Sequence, residues 1–315
     1  ERMARIVAFA VACAIIGTCN AFSIAPVTLR SDTLTSSRAV LPVKAARTTR
    51  VPGTTMQLAP AQSPARPPAL VPGSPLPRLY VYDHCPFCVR ARMIFGLKNI
   101  KHEVRFMPND DVKTPTDLVG KKIAPILEIP YRGEVMKESM DIVKRIDEDP
   151  SLGQPILRPE SGRADIKTWQ KTHAGTFRQL QRPRYVMTGL LPEFAQAEAR
   201  EMFIKNHQMV GFEKADWKDD AKTTQEFRKA EYQKALEATP SLLPQANAAL
   251  AELEGLIYSP EHCSAGGLSY DDIDLFARLR SITIIRGIVM PPKVAAYMQT
   301  MSTWADIPLY NAMAL

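Results

Sequence analysis

Leu79-Tyr-Val-Tyr-Asp-His84-Cys85-Pro86-Phe87-Cys88-Val-Arg-Ala-Arg-Met-Ile-Phe-Gly-Leu-Lys98 is the stretch that decides the fold. Leu79 to Tyr82 is a β-branched and aromatic run between Pro77 and Asp83, which reads as a strand buried on both faces. From Cys85 to Lys98 the spacing changes to that of a helix. Cys88, Ala91, Ile94 and Phe95 share its buried face, and Arg90 and Lys98 are expected outside. Cys85 and Cys88 therefore sit where a strand turns into a helix.

Working outward, His102 to Phe106 reads as a second strand and Asn109-Asp-Asp111 as a turn. Thr114-Pro115 opens a short helix with Pro at its first position, and Gly120 closes it. Ile126 to Ile129 is a third strand, Tyr131-Arg-Gly133 a turn, and Val135 to Lys137 a fourth strand. Ser139 then caps a helix that runs to about Asp147. This order gives one parallel pair by crossover and one antiparallel pair by hairpin, a thioredoxin-like α/β architecture over residues 79–148. Asp149 to Pro159 holds three prolines and a glycine, so 149–163 reads as a linker. Beyond Ala164 helical periods dominate, and 164–315 is expected to be an all-α domain. Its best helix start is Leu268-Ser269-Tyr-Asp-Asp272-Ile273. Ser269 and Asp272 can form a capping box, with Leu268 and Ile273 as the hydrophobic staple. Residues 213–238, rich in Lys, Glu and Asp, read as a solvated helical face. The three tryptophans are expected in the core or at a domain interface.

The formal charge of +7 is confined to the start of the chain. Nine of the 40 basic and two of the 33 acidic residues lie in 1–78, leaving 31 of each sign in 79–315. A nucleic-acid groove needs basic residues clustered in the folded part, so that class is set aside. Met3-Ala-Arg5, the apolar run Ile6 to Ile16 and Cys19-Asn-Ala21 form the three-part pattern of a signal peptide over 1–21. The run is too short to span a membrane, which takes about 20 residues. Residues 22–78 carry one acid, seven basic residues and ten of the 26 prolines, with many Ser, Thr and Ala. Such a segment buries too little apolar surface to fold, and its composition is that of a transit peptide. Signal plus transit peptide, with Phe22 after the cut, resembles the bipartite leaders of secondary plastids. The expected destination is the plastid stroma, with secretion as the alternative, and no membrane association of the mature form.

Cys85-Pro86-Phe87-Cys88 carries the chemistry. At a helix start, free N–H groups and the macrodipole stabilise a thiolate. The cysteine pKa falls from about 8.5 to ~3.5–7.5 in such places. Cys85 is then the nucleophile, and Cys88, one turn on, is within reach for ring closure. The competing readings are a zinc site, a pair of inert thiols and an iron–sulfur cluster shared between subunits. Zinc wants four ligands, and only Cys263 remains outside the leader, so no metal is expected. Ala124-Pro125 precedes a strand and is expected as a cis peptide facing Cys85, an ordinary trans Pro being the alternative. Beside it the backbone of Ala124 can pair with an extended peptide. Glu138-Ser139 offers a carboxylate at a helix start whose N–H groups suit an anion; a plain Ser139 N-cap explains it equally. His84 is either a base, a source of positive potential, or a surface residue. Cys263 is a third redox thiol or a plain buried cysteine; His173, His207 and His262 read as ordinary residues.

Tyr80 to Ile100 resembles the active-site stretch of the bacterial glutaredoxin 2 family. Asn109-Asp-Asp111, Thr114-Pro-Thr116, Val119-Gly-Lys121, Ala124-Pro-Ile-Leu127, Glu138-Ser-Met-Asp-Ile-Val143, Leu268-Ser-Tyr-Asp-Asp-Ile-Asp-Leu-Phe276 and Asn311-Ala-Met-Ala-Leu315 follow in that family's order. The resemblance spans 79–315. It implies a glutaredoxin domain joined to a glutathione-transferase-like helical domain, with glutathione as reductant. It also implies Cys85 as nucleophile, Cys88 as resolving thiol, and glutathione contacts from His84, Pro86, Phe87, Ala124, Pro125, Glu138 and Ser139. The partners it implies are disulfide-containing or glutathionylated proteins, and a monomer is expected. Phe87 stands where the family usually has Tyr, the leader is foreign to the family, and residues 182–240 match poorly. Two other functions share the fold: a glutathione transferase or dehydroascorbate reductase, and a non-enzymatic binding module for which Cys88 would be superfluous.

Overall fold

The computed structural model describes residues 73–315. The signal peptide expected over 1–21, and all but the end of the transit segment 22–78, lie outside the described residues. Chain order sets β1 (Arg78–Val81), α1 (Pro86–Leu97), β2 (Glu103–Phe106), α2 (Lys113–Val119), β3 (Ile126–Ile129), β4 (Glu134–Lys137) and α3 (Ser139–Asp147). The sheet order is β2-β1-β3-β4. β1 pairs parallel with β2, Leu79 opposite Val104, and antiparallel with β3, Leu79 opposite Leu127. β3 and β4 form a hairpin closed by a 3₁₀ turn at Pro130–Arg132 and by Gly133 at φ 61°. This is the thioredoxin-like sheet that the sequence order implies.

β1 begins at Arg78 and is buried on one face only. Leu79 and Val81 are in the core, while Arg78 and Tyr80 lie half-buried on the other face. There Tyr80 Oη donates to Glu128 Oε2 at 2.8 Å, and Arg78 pairs with the same carboxylate at 3.3 Å. Pro115 is the third residue of α2, not the first, and Gly120 ends that helix in the left-handed region at φ 76°. Ser139 is not the cap of α3 but its first helical residue. Glu138 occupies the cap position at φ 71°, with no side-chain cap bond.

The expected outward face of α1 is also covered. Cys88, Ala91, Ile94 and Phe95 are fully buried as the spacing requires, yet Arg90 and Lys98 are buried too. The turn after α3 covers Lys98, and the helical half of the chain covers Arg90; that half is α4 (Ala164–Thr188), α5 (Ala197–Asn206), α6 (Lys214–Lys218), α7 (Gln225–Glu237), α8 (Thr239–Leu256), α9 (Tyr270–Arg280) and α10 (Pro292–Ala305). α1 packs against α3, α9 and α10. Arg90 pairs with Asp274 of α9, and Lys98 donates to the carbonyls of Asp147 at 2.7 Å and Gln154 at 3.2 Å. Each buried cation thus finds an acceptor, although Arg90 Nε is left without one. Gly96 fits the same close approach. A Cβ there would lie 1.8 Å from the Ala305 carbonyl oxygen, so only glycine lets α1 and α10 meet.

The capping box of α9 forms as read from the sequence. The Ser269 N–H donates to the Asp272 carboxylate at 2.9 Å, and the Cys263 N–H to its other oxygen at 2.7 Å. Ile273 is fully buried and half-buried Leu268 packs on the same core. Segment 213–238 shows its charges outward but anchors Trp217, Arg228 and Tyr232 inside. Trp304 departs from expectation: it is exposed on α10, whereas Trp169 and Trp217 are buried.

One buried cluster ties the sheet to the helices. Asp83, directly after β1, accepts from Arg280 Nη2 at 3.1 Å, from Arg92 at 2.5 Å and from the Tyr310 hydroxyl at 2.7 Å. Arg280 Nη1 also donates to the Asp83 carbonyl at 2.7 Å. Burial alone would push the Asp83 carboxyl up. The charges of Arg280 and Arg92 and the Tyr310 bond outweigh it and hold the group below the usual carboxylate range. A depressed carboxyl contributes stability above its unfolded value, about 3.9, and loses it as pH falls through the folded one. Asp83→Asn leaves two buried guanidinium groups without their charge partner, and the expected loss is about 3–5 kcal/mol. Urea unfolding at neutral pH should show it, the gap to wild type narrowing below about pH 4; an unchanged midpoint at neutral pH would contradict the assignment.

Candidate active site

Cys85 is the N-cap of α1, in extended geometry at φ −75° and ψ 119°. Its carbonyl accepts the Val89 N–H at 2.9 Å, which starts the helix. Pro86 follows at the first helical position, where no N–H is needed. The Cys88 thiol and the backbone N–H groups of Phe87 and Cys88 at the helix start favour the thiolate form of Cys85. The bond from Cys88 lowers its pKa most. Burial opposes, and the charge of His84 and the two backbone bonds add to the lowering, which brings it to about 6. Cys88 is moved the other way. It is fully buried, its sulfur faces the Tyr82 N–H at 3.3 Å, and burial with the neighbouring Cys85 pushes its thiol well above the ordinary value. The pair is thus split into a thiolate half-open to solvent and a neutral thiol beneath it. Both are free of disulfides, as is Cys263, whose thiol burial also makes hard to ionise.

His84 is not a surface residue. Its ring Nδ1 lies 2.5 Å from Glu193 Oε1, and its backbone N–H donates to the same oxygen at 2.8 Å. Its ring packs against Tyr82, Tyr185, Phe194 and Phe203. Glu193 is completely buried in a 3₁₀ turn of the helical half (Pro192–Phe194), and its carbonyl accepts the Asn109 N–H at 3.0 Å. That turn therefore holds both the residue before Cys85 and the loop after β2.

A cleft of about 410 Å³ opens over Cys85. His84, Cys85, Pro86, Phe87 and Ala124 line one side. The other side comes from the helical half, with Trp169, Arg178, Arg182 and Tyr185 of α4, Phe203 and His207 at the end of α5, and Arg278 of α9. The Ala124–Pro125 peptide is cis, as expected. Pro125 itself is buried, and it, Glu138 and Ser139 are not among the residues that line this cavity. Glu138 is exposed. Ser139 is buried, and its Oγ accepts from Arg90 Nη1 of α1 at 3.4 Å, so the start of α3 is tied to the helix that begins at Cys85. Phe87 is exposed, with the Arg90 guanidinium 4.8 Å from its ring centre. Among the described residues, no group of three His, Cys, Asp or Glu side chains is placed to hold a metal ion.

The α4 contribution was not recognised from the sequence. The signal for it was present: Gln170, Ala174, Phe177, Arg178, Gln181, Arg182 and Tyr185 recur at helical spacing and put polar and aromatic side chains on one face. His207, read as ordinary, is a cleft residue stacked on Phe203 at 4.0 Å, and its burial drops its pKa to about 3.

Residues 165–314 match the model of the glutaredoxin 2 C-terminal domain, and residues 79–155 that of the glutathione S-transferase N-terminal domain. Over 238 residues the chain is 36% identical to glutaredoxin 2 of Escherichia coli K12, covering 76% of this chain and 100% of that protein. The chain belongs to the glutaredoxin 2 family. The solved structure of glutaredoxin 2 from Salmonella typhimurium in complex with glutathione superposes with a TM-score of 0.66 at 36% identity, covering 77% of this chain and 100% of that one. A shorter match, 32% over 104 residues, links it to glutathione S-transferase L1 of Arabidopsis thaliana, of which it covers 42%. The two-part glutaredoxin 2 fold is thus shared from end to end, with the cleft at the seam between its halves.

A thiolate at a helix start over a neutral thiol can attack a disulfide and be released by ring closure. His84 supplies part of the positive potential at Cys85. His84→Phe keeps a ring in the aromatic cage and removes that charge. Thiolate absorbance against pH should show the Cys85 midpoint moving up by about one unit; an unmoved midpoint would remove His84 from the electrostatics of the site.

Proposed function

We propose that the protein is a glutathione-dependent thiol–disulfide oxidoreductase in which Cys85 is the nucleophile and Cys88 the resolving thiol. The single observation that carries this reading is the placement of the pair, one sulfur half-exposed at the helix start and facing the cleft, the other fully buried beneath it, which lowers the pKa of the first and raises that of the second. The Cys85 thiolate attacks one sulfur of a disulfide, the S–S bond breaks, and the other half leaves as a thiolate that takes a proton. A mixed disulfide on Cys85 remains. Either Cys88, losing its proton, attacks the Cys85 sulfur, closes the Cys85–Cys88 bond and expels the attached group as a thiol, after which two glutathiones reduce that bond and leave as glutathione disulfide; or glutathione attacks the attached group's sulfur, frees the Cys85 thiolate and leaves with that group as a disulfide. The exposed Glu138 carboxylate and the α3 start suit the ammonium and carboxylate of the γ-glutamyl end of glutathione. The Ala124 backbone beside the cis peptide suits its cysteinyl amide.

The substrates we assign are protein disulfides and glutathionylated proteins, handled by a monomer. A single-thiol transferase or dehydroascorbate reductase cycle would use Cys88, buried and facing the Tyr82 N–H, only to favour the Cys85 thiolate and not to resolve the intermediate. The location we propose is the plastid stroma, on the composition of residues 1–78. Fused to a fluorescent protein, that segment should direct it to the plastid, and secretion of the fusion would end this part of the proposal.

Cys85→Ser should abolish glutathione-coupled reduction of a small mixed disulfide, whereas Cys88→Ser should retain part of it, because glutathione can still resolve the intermediate. Full turnover by the Cys85 variant would overturn the roles.

A further inference from the structure

The cleft over Cys85 is unequal in charge. Arg178, Arg182 and Arg278 line it, and no Asp or Glu does. Arg278 shares the Asp274 carboxylate, 3.0 Å away, with Arg90, so its charge is partly countered. Arg182 donates only to the Gln208 carbonyl, and no ion pair or hydrogen bond is found for Arg178 among the described residues. Two guanidinium charges therefore face the cavity without an anion. Arg178 is exposed at the mouth, and Arg182 lies half-buried farther along α4, one turn on. Between them on the same face, Gln181 Oε1 is buried with no hydrogen-bond partner, and the Tyr82 hydroxyl across the cleft is likewise unsatisfied. Buried polar atoms without partners are uncommon in folded proteins, and inside a cleft they point to groups a ligand brings. The walls between are aromatic, from Trp169, Phe177 and Tyr185.

We propose that this face of α4 is a subsite for the departing half of the disulfide, and that it selects small departing groups bearing carboxylates. The inference rests on the thiol-exchange reading and deepens it. With the glutathionyl half held toward Ala124 and Glu138, Cys85 attacks its sulfur, and the other half leaves into the cleft as a thiolate. Arg182 and Arg178 meet its carboxylates, and Gln181 accepts an N–H where the group has one. The cavity, about 410 Å³, is of a size for a small organic molecule rather than a folded surface. Unpaired guanidinium groups suit carboxylates through their planar fork of donors.

The test compares two glutathione mixed disulfides, one with mercaptosuccinate, a dicarboxylate, and one with neutral mercaptoethanol. The full chain should show a higher kcat/KM for the first, through KM. The preference should shrink with added salt and fall about tenfold in an Arg178→Gln, Arg182→Gln double variant, as expected of two partly exposed ion pairs. Arg178→Gln alone, at an exposed position, should lower the preference without any risk to folding. Binding is read separately, by quenching of tryptophan fluorescence when the Cys85→Ser chain meets the mercaptosuccinate disulfide, and should weaken in the Arg variants. Equal kcat/KM for both disulfides, or a preference indifferent to both Arg substitutions, overturns the inference while leaving thiol exchange intact. Turnover by the Cys85→Ser chain overturns the thiol-exchange reading instead. A preference seen only with glutathionylated peptides flanked by Asp, and not with mercaptosuccinate, overturns the assignment to small molecules.

Discussion

Two consecutive residues, Asp83 and His84, end in the helical half of the chain, and the place of Cys85 depends on them. Asp83 is locked by Arg280 and Tyr310, and His84 by Glu193. All of these partners are buried, in surroundings where an unpaired charge is costly and a paired one is directional. The turn between β1 and α1 is therefore clamped from outside the sheet. A thioredoxin-like unit alone would leave that turn with the geometry of its own backbone. Here the helices supply the charges that fix it, the aromatic cage around His84 and the far wall of the cleft.

The same clamp explains how two chemically identical thiols come to differ. The distinction needs one sulfur at the open end of a helix and one a turn inside it, and α1 provides that spacing through Pro86-Phe87. Cys85 stays at the open start of α1 and faces the cleft, whereas Cys88 joins the core between sheet and helix. The proton rests on the buried sulfur and the charge on the open one, because burial penalises a thiolate and helix-start donors favour it.

Much of this was legible in the sequence because it rests on local patterns. The strand-to-helix change at Cys85, the hairpin at Gly133 and the capping box at Ser269 each follow from residues within a few positions of one another, whereas the cis Ala124–Pro125 bond was expected only from the thioredoxin-like architecture. What escaped was set by contacts between distant parts of the chain. Arg90 and Lys98 look like solvent-facing cations until α9, and the turn after α3, are laid against them. Nothing local decides among a base, a source of positive potential and a surface residue for His84 until Glu193, more than a hundred positions later, meets its ring. Ser139 was displaced from the cap by a backbone at positive φ on Glu138, which no side-chain preference announces. The Arg178–Arg182 face was readable as a helical stripe, but nothing local shows that it fronts Cys85.

The most direct measurement is the rate of alkylation at each cysteine of the reduced chain as a function of pH, resolved by peptide mass spectrometry. Cys85 should react with a midpoint near 6, with Cys88 and Cys263 almost silent up to neutral pH. A Cys85 midpoint at the ordinary thiol value of about 8.5, or equal rates at Cys85 and Cys88, would contradict a thiolate stabilised by the start of α1.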